Sequence, residues 1–192
     1  MSEITYFTTE GESNTEEAVA IALKAAKELH IGHLVLATTH GKTPRHFLNK
    51  KDLNVVAVTH AYGFKAKGEN SLSAADRAEL QKGGIVVHSA GHVLSGAERG
   101  LSSVFKGIFP VEIIAQTLKF FGQGTKVAVE VAAAALDAGL IPFGEPVIAI
   151  GGTRGGADTV LVIVPSYSST ILETRIQQIL AKPLSPSLPA KA

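Results

Sequence analysis

Short apolar runs alternate along this chain with segments whose apolar residues recur every three or four positions. Ile4-Thr5-Tyr6-Phe7 reads as a short first strand. After a polar turn at 11–13, Asn14 with Glu17 three places on predicts a capping box. Val19, Leu23, Ala26 and Leu29 then recur at helical spacing, and Gly32 ends the helix. Leu34-Val35-Leu36-Ala37 and Val55-Val56-Ala57-Val58 are continuous apolar runs, as strands covered on both faces require. Between them Pro44 stands where a first helical residue would, opening a short helix through Leu48. Ser73 predicts the cap of a helix running to Gln81, and Ile85-Val86-Val87 a further buried strand. The polar, glycine-containing stretch 88–107 reads as a long loop that carries a function or hides a short helix. Helices are expected over 110–121 and 125–138, and strands over 147–150 and 160–164. Residues 171–180 read as a helix or an added edge strand.

Strands alternating with helices imply an α/β fold, a mostly parallel sheet with helices on both faces. No internal linker is visible, so residues 1–182 read as one domain, and the Pro-, Ser- and Ala-rich residues 183–192 as a loose tail. Ligands of such sheets bind beyond the carboxyl ends of the strands. Five polar or glycine-rich segments follow strands here, at 11–15, 38–43, 59–68, 88–96 and 151–158, and parallel order brings them to one edge.

Composition narrows the function classes. The net charge is only +1 and no basic stripe appears, which argues against nucleic acid as the main partner. Cysteine is absent, which excludes disulfides and thiolate metal sites and fits a reducing cytoplasm. No apolar run approaches the roughly 20 residues that span a bilayer, so no membrane partner is expected.

The sharpest candidate for chemistry is Thr38-Thr39-His40-Gly41-Lys42-Thr43. A strand ending in hydroxyl residues, then glycine and a helix start, offers unpaired N–H groups and the positive end of a helix dipole. The threonine hydroxyls and Lys42 complete an anion cradle. The alternative is an ordinary capped turn with a solvated lysine. It is not a triphosphate-binding P-loop, since Leu36 stands where that pattern needs glycine. The paired glycines at 151–156 do not match the dinucleotide fingerprint either. They read as a second backbone cradle, with Gly152, Thr153, Gly155 and nearby Arg154 and Asp158, or as a plain turn. His40, His60, His88 and His92 fall in the expected ligand-edge loops, suited to hydrogen bonding with a ligand. No carboxylate stands beside them at metal-motif spacing, so no metal is expected. Tyr62 and Phe64, on either side of Gly63, offer rings for a planar ligand or a core edge. Glu130 interrupts an apolar helix. It reads as solvent-facing, as paired with a lysine or arginine, or as an acid reaching the site.

These residues carry a resemblance. The segment 34–47 with its Thr-Thr-His-Gly-Lys-Thr-Pro turn, followed by Val55-Val56-Ala57-Val58-Thr59, resembles the C-terminal α/β domain of pyruvate kinase. The blocks 11–15, Thr59-His60-Ala61-Tyr62-Gly63-Phe64, 94–100, 129–142 and 149–159 are closer still to stand-alone pyruvate kinase C-terminal-domain-like proteins of archaea and bacteria. The resemblance implies a three-layer α/β/α sandwich and a phosphorylated ligand, with flavin mononucleotide (FMN) the first candidate. It places the phosphate on residues 38–43. The rest of the ligand would meet Asn14, Thr15, His60, Tyr62, Gly63, Phe64, His92, Gly152, Thr153, Gly155 and Asp158. His40 is larger than the small residues common in the family's effector loop. The 192 residues hold no counterpart of the pyruvate kinase catalytic barrel, so no reaction follows from the resemblance. The alternative is a regulatory or sensor module for a sugar phosphate. A homo-oligomer is expected, with the apolar helix 127–136 as one candidate face.

Overall fold

The computed structural model describes residues 3–184. Strands β1 (Thr5–Phe7), β2 (His33–Thr38), β3 (Asn54–His60), β4 (Val86–Ala90), β5 (Val147–Gly151), β6 (Thr159–Val164) and β7 (Arg175–Pro183) form one sheet in the order β1-β7-β6-β5-β2-β3-β4. All neighbours pair in parallel except β6, which runs antiparallel to both β5 and β7. The short turn after β5 forces that reversal, because a parallel partner needs a crossover of a dozen or more residues. The helices are α1 (Thr15–Glu28), α2 (Ala74–Lys82), α3 (Gly96–Phe105), α4 (Pro110–Leu118) and α5 (Gln123–Asp137).

Side chains alternate across the sheet, so its central strands feed two cores. Leu34, Leu36, Val55, Ala57, Ile148 and Ile150 pack with α1, Phe47 and Leu80 of α2 on one face. Val35, Val56, Val58, Val147 and Ala149 pack with α5, Leu94 and Ala115 of α4 on the other. The result is the three-layer α/β/α arrangement expected. α5 seats its first turn directly on the end of β5. A side chain at Gly151 would place Cβ 2.0 Å from the Gly124 carbonyl, so only glycine allows the approach.

Several expectations change. Residues 171–180 hold the end of a 3₁₀ segment (Ser168–Glu173) and most of an added strand, one of the two readings expected, but that strand, β7, lies between β1 and β6 rather than at the sheet edge. β1 pairs only with 181–183, which leaves residues 175–178 exposed and explains their polarity. The edge strands are β1 and β4, and Val86 of β4, expected in a buried strand, is exposed. The long segment 88–107 contains the end of β4 and all of α3, a ten-residue helix. Asn14 precedes α1 but makes no capping bond; its Nδ2 donates to the Thr9 carbonyl at 2.8 Å. Ser73 does cap α2, accepting from the Asp76 N–H at 3.0 Å. Of the expected tail, Pro183 belongs to β7 and the Leu184 N–H donates to the Phe7 carbonyl at 2.8 Å; 185–192 lie outside the described residues. Among the described residues no single helix is long and apolar enough to cross a membrane.

Candidate functional site

The carboxyl ends of β2, β3, β4 and β5 open on one edge of the sheet, with the first residue of β6 beside them. A cavity of about 590 Å³ lies there. The loop after β2 supplies Thr38, Thr39, His40, Lys42 and Thr43, and β3 with its loop supplies Thr59, His60, Phe64 and Lys65. His92 comes after β4, Arg99 from α3, Lys119 from the end of α4, and Gln123, Lys126 and Glu130 from α5. Gly152, Arg154, Gly155 and Gly156 come from the turn after β5, and Glu12 from the segment before α1.

The loop after β2 closes on itself. Thr38 Oγ1 accepts from the Gly41 N–H at 3.0 Å, and Gly41 takes φ +79°, a region open to glycine. Gly41 therefore shapes the turn without lining the cavity. Lys42 Nζ donates to Glu12 Oε1 at 2.8 Å, and this hydrogen bond and charge hold the Glu12 carboxyl below its usual range. His40 Nδ1 donates to the Ser71 carbonyl at 3.0 Å. The helix expected after the loop is a five-residue 3₁₀ segment, Thr43–Phe47, too short to sum a useful dipole. The longer helix at the cavity is α5, fifteen residues with no side chain capping its first turn.

The turn after β5 is held from below by Asp158, which is fully buried. Its carboxylate accepts from the N–H groups of Gly11 (2.9 Å) and Thr153 (3.1 Å) and from the Thr159 hydroxyl (2.8 Å). Thr15 Oγ1 accepts from the Ala157 N–H at 3.0 Å. Asp158, Thr15 and Asn14 thus brace the site rather than face it. The Thr153 hydroxyl is buried without a hydrogen-bond partner.

At the other end three rings meet. His60 and Phe64 stack with centroids 4.3 Å apart and planes 9° from parallel, and His92 tilts against both. Burial, then the charges of His92 and Lys65, hold the His60 imidazole below its usual range. Glu130 is 5% exposed. Its Oε1 accepts from the Leu94 N–H at 3.0 Å, and its Oε2 accepts from His92 Nδ1 at 3.4 Å and from Lys126 Nζ. Burial alone would push the Glu130 carboxyl up, but the His92 hydrogen bond and the Lys126 ammonium outweigh it and hold it down. Glu130 is therefore ionised, paired with a lysine, and on the cavity wall.

The structure brings together most but not all of the expected site. Tyr62 is 61% exposed and lines a separate shallow groove with Asn70 and Arg77. Gly63 does not line the cavity, and His88 sits within β4, away from it. Arg99, Lys119, Gln123 and Lys126 were not anticipated, because they come from helices rather than from strand ends. Among the described residues, Lys65, Arg99, Lys119 and Arg154 form no ion pair, although all four border the cavity. No group of three or more His, Cys, Asp or Glu side chains among those residues is placed to hold a metal ion.

A doubly covered, mostly parallel sheet with this loop after its second strand matches a known family model. The model is that of the pyruvate kinase alpha/beta domain, and it matches residues 16–163. The chain belongs to this family. The matched span takes in α1, β2 with its Thr38 to Thr43 loop, the ring cluster, α5 and the turn after β5. Within the family domain, the strand-end cavity is thus bordered by matched residues throughout except for Glu12.

Proposed function

We propose that this chain binds a phosphorylated small molecule in the strand-end cavity, with FMN the best-fitting candidate. The observation that carries the reading is charge. Six cationic side chains, Lys42, Lys65, Arg99, Lys119, Lys126 and Arg154, border the cavity against two carboxylates, Glu12 and Glu130. Only Lys42 and Lys126 of the six are neutralised by ion pairs among the described residues. Cations gathered around a concavity raise the local concentration of an anion and stabilise it once bound.

FMN fits the residues present. A volume near 590 Å³ falls within the roughly 300–1,000 Å³ of ligand-enclosing pockets. The Thr39 and Thr43 hydroxyls, Lys42 and Arg154 suit the phosphate. His60, Phe64 and His92 suit a flat ring, and two of their nitrogens, His60 Nδ1 and His92 Nε2, are buried without partners. A bound flavin supplies redox chemistry through its ring, while the protein supplies binding and orientation. The second reading is a non-catalytic sensor of a sugar phosphate. It is favoured by Phe64 being the one phenyl ring on the cavity wall, Tyr62 having turned away.

Thermal unfolding with FMN, sugar phosphates and nucleotides tests both, because a ligand that binds only the folded state raises Tm. FMN alone raising it supports the first reading, and sugar phosphates alone the second. If no phosphorylated compound raises it, both are wrong.

Self-association is part of the proposal. The apolar residues of α5 are covered by the sheet, so the face expected at 127–136 is taken. Val104, Phe105, Ile108, Ile113 and Phe120, on and around α3 and α4, are exposed and offer the larger apolar surface to a second copy. Light scattering on the purified protein reports the oligomeric state, and a monomer at all concentrations would remove this part.

A further inference from the structure

A buried hydrogen-bonding atom without a partner has lost its water without replacement, so two in one cluster call for an explanation. His60 Nδ1 and His92 Nε2 are such atoms, and their rings lie 5.6 Å apart against Phe64. The state of His92 follows from its neighbour. Glu130 is an ionised carboxylate and can only accept, so His92 Nδ1 carries the proton that it donates at 3.4 Å. Glu130 is itself fixed by the Leu94 N–H at 3.0 Å and by Lys126, so the carboxylate cannot swing away. In the neutral tautomer that this contact selects, Nε2 is a bare lone pair.

We propose that Glu130 positions His92 so that its bare Nε2 accepts a hydrogen bond from an N–H or O–H on the non-phosphate end of the cavity's ligand. This deepens the binding reading above and rests on it. The ligand class is thereby narrowed. One end is anionic, and the other is flat enough to enter beside His60 and carries a donor on its edge. Phe64, 45% exposed and stacked on His60, is the ring such a group displaces or joins. An analogue with only acceptors along that edge leaves Nε2 unsatisfied and loses affinity.

The test is ¹H–¹⁵N NMR of the imidazoles in the full chain at neutral pH. The expected spectrum shows His92 neutral, with Nδ1 protonated and Nε2 bare. Saturating FMN, with binding confirmed independently by quenching of flavin fluorescence, moves the Nε2 resonance upfield, whereas inorganic phosphate leaves it in place. Glu130→Gln removes the Nδ1–H preference. If that variant does not fold, the wild-type spectrum decides alone. An Nε2–H tautomer, a doubly protonated His92, or an Nε2 resonance unmoved by bound FMN overturns the proposal. Failure of FMN to quench refutes the FMN reading instead, and the His92–Glu130 pair then stands or falls on the tautomer.

Discussion

The two ends of the cavity are built on opposite principles. At the Thr38 to Thr43 end, Lys42 is a largely exposed side chain, and its ion pair among the described residues is with Glu12, which is also largely exposed. At the His92 end, Glu130 and Lys126 are buried, and one carboxylate serves a backbone N–H, an imidazole and an ammonium. Coulombic interactions strengthen as water is excluded, and so does the cost of leaving a charge unpaired. On the proposed reading, the exposed end would contribute to ligand affinity alone, whereas the buried end would couple ligand recognition to stability. The fold should accordingly tolerate change at Lys42 more readily than at Glu130.

The largest effect should come from the buried end. Glu130→Ala strands Lys126 and the Leu94 N–H, and chemical denaturation should show a loss of about 3–5 kcal/mol. Replacing Lys126 by methionine in the same chain should recover much of it. A loss below about 1 kcal/mol would mean the pair is solvated and the contrast is false. For the unpaired guanidiniums on the cavity wall, Arg99→Ala with Arg154→Ala should leave unfolding within roughly 0.5 kcal/mol of wild type, since neither has an ion-pair partner among the described residues. The double variant should cost about 3 kcal/mol of FMN affinity by calorimetry, the sum of two charge-assisted hydrogen bonds. Lys42→Ala should cost about 1.5 kcal/mol of affinity, the low end for such a bond, because Glu12 competes for the ammonium.

The pH dependence sharpens the same contrast. His60 has a folded-state pKa below 6.5, so the unfolded chain binds its proton first. Its contribution is present above the unfolded value and fades as pH falls through the folded one. Glu130, also lowered, contributes above about 4.5 and loses that contribution at lower pH. Stability measured from pH 8 downward should thus decline in two stages, and His60→Asn should remove the first. An unchanged profile in that variant would place the first stage elsewhere. The smallest effect belongs to the exposed end. Glu12→Gln should release Lys42 and tighten FMN by roughly two- to threefold, an increase that added salt erases.

Where apolar runs are continuous, the sequence reads directly. Leu34 to Ala37, Val55 to Val58 and Val147 to Ile150 are buried on both faces and admit no other element. α3 was hidden because none of its residues is buried, so it presents no core-facing stripe to recognise. β7 is ambiguous between helix and strand in the sequence because half of it extends past its short partner β1 and is largely polar. The same distinction holds in the site. The Thr38 to Thr43 loop is local in sequence, so hydroxyls, glycine and lysine announce it together. His92 and Glu130 stand 38 residues apart, and only the packing of α5 across the strand ends joins them. Glu130 on its own read as one charge on an apolar helix. Its Lys126 partner matched one expectation, but its contact with His92 had no trace in local pattern.

The central claim is that one cavity holds both a phosphate and the flat group attached to it. Calorimetric titration of the full chain with FMN and, in parallel, with riboflavin, which lacks the phosphate, tests it most directly. The account predicts one FMN per chain and riboflavin binding at least tenfold weaker, a gap of about 1.4 kcal/mol or more. Equal affinities, or no heat from either ligand, would contradict it.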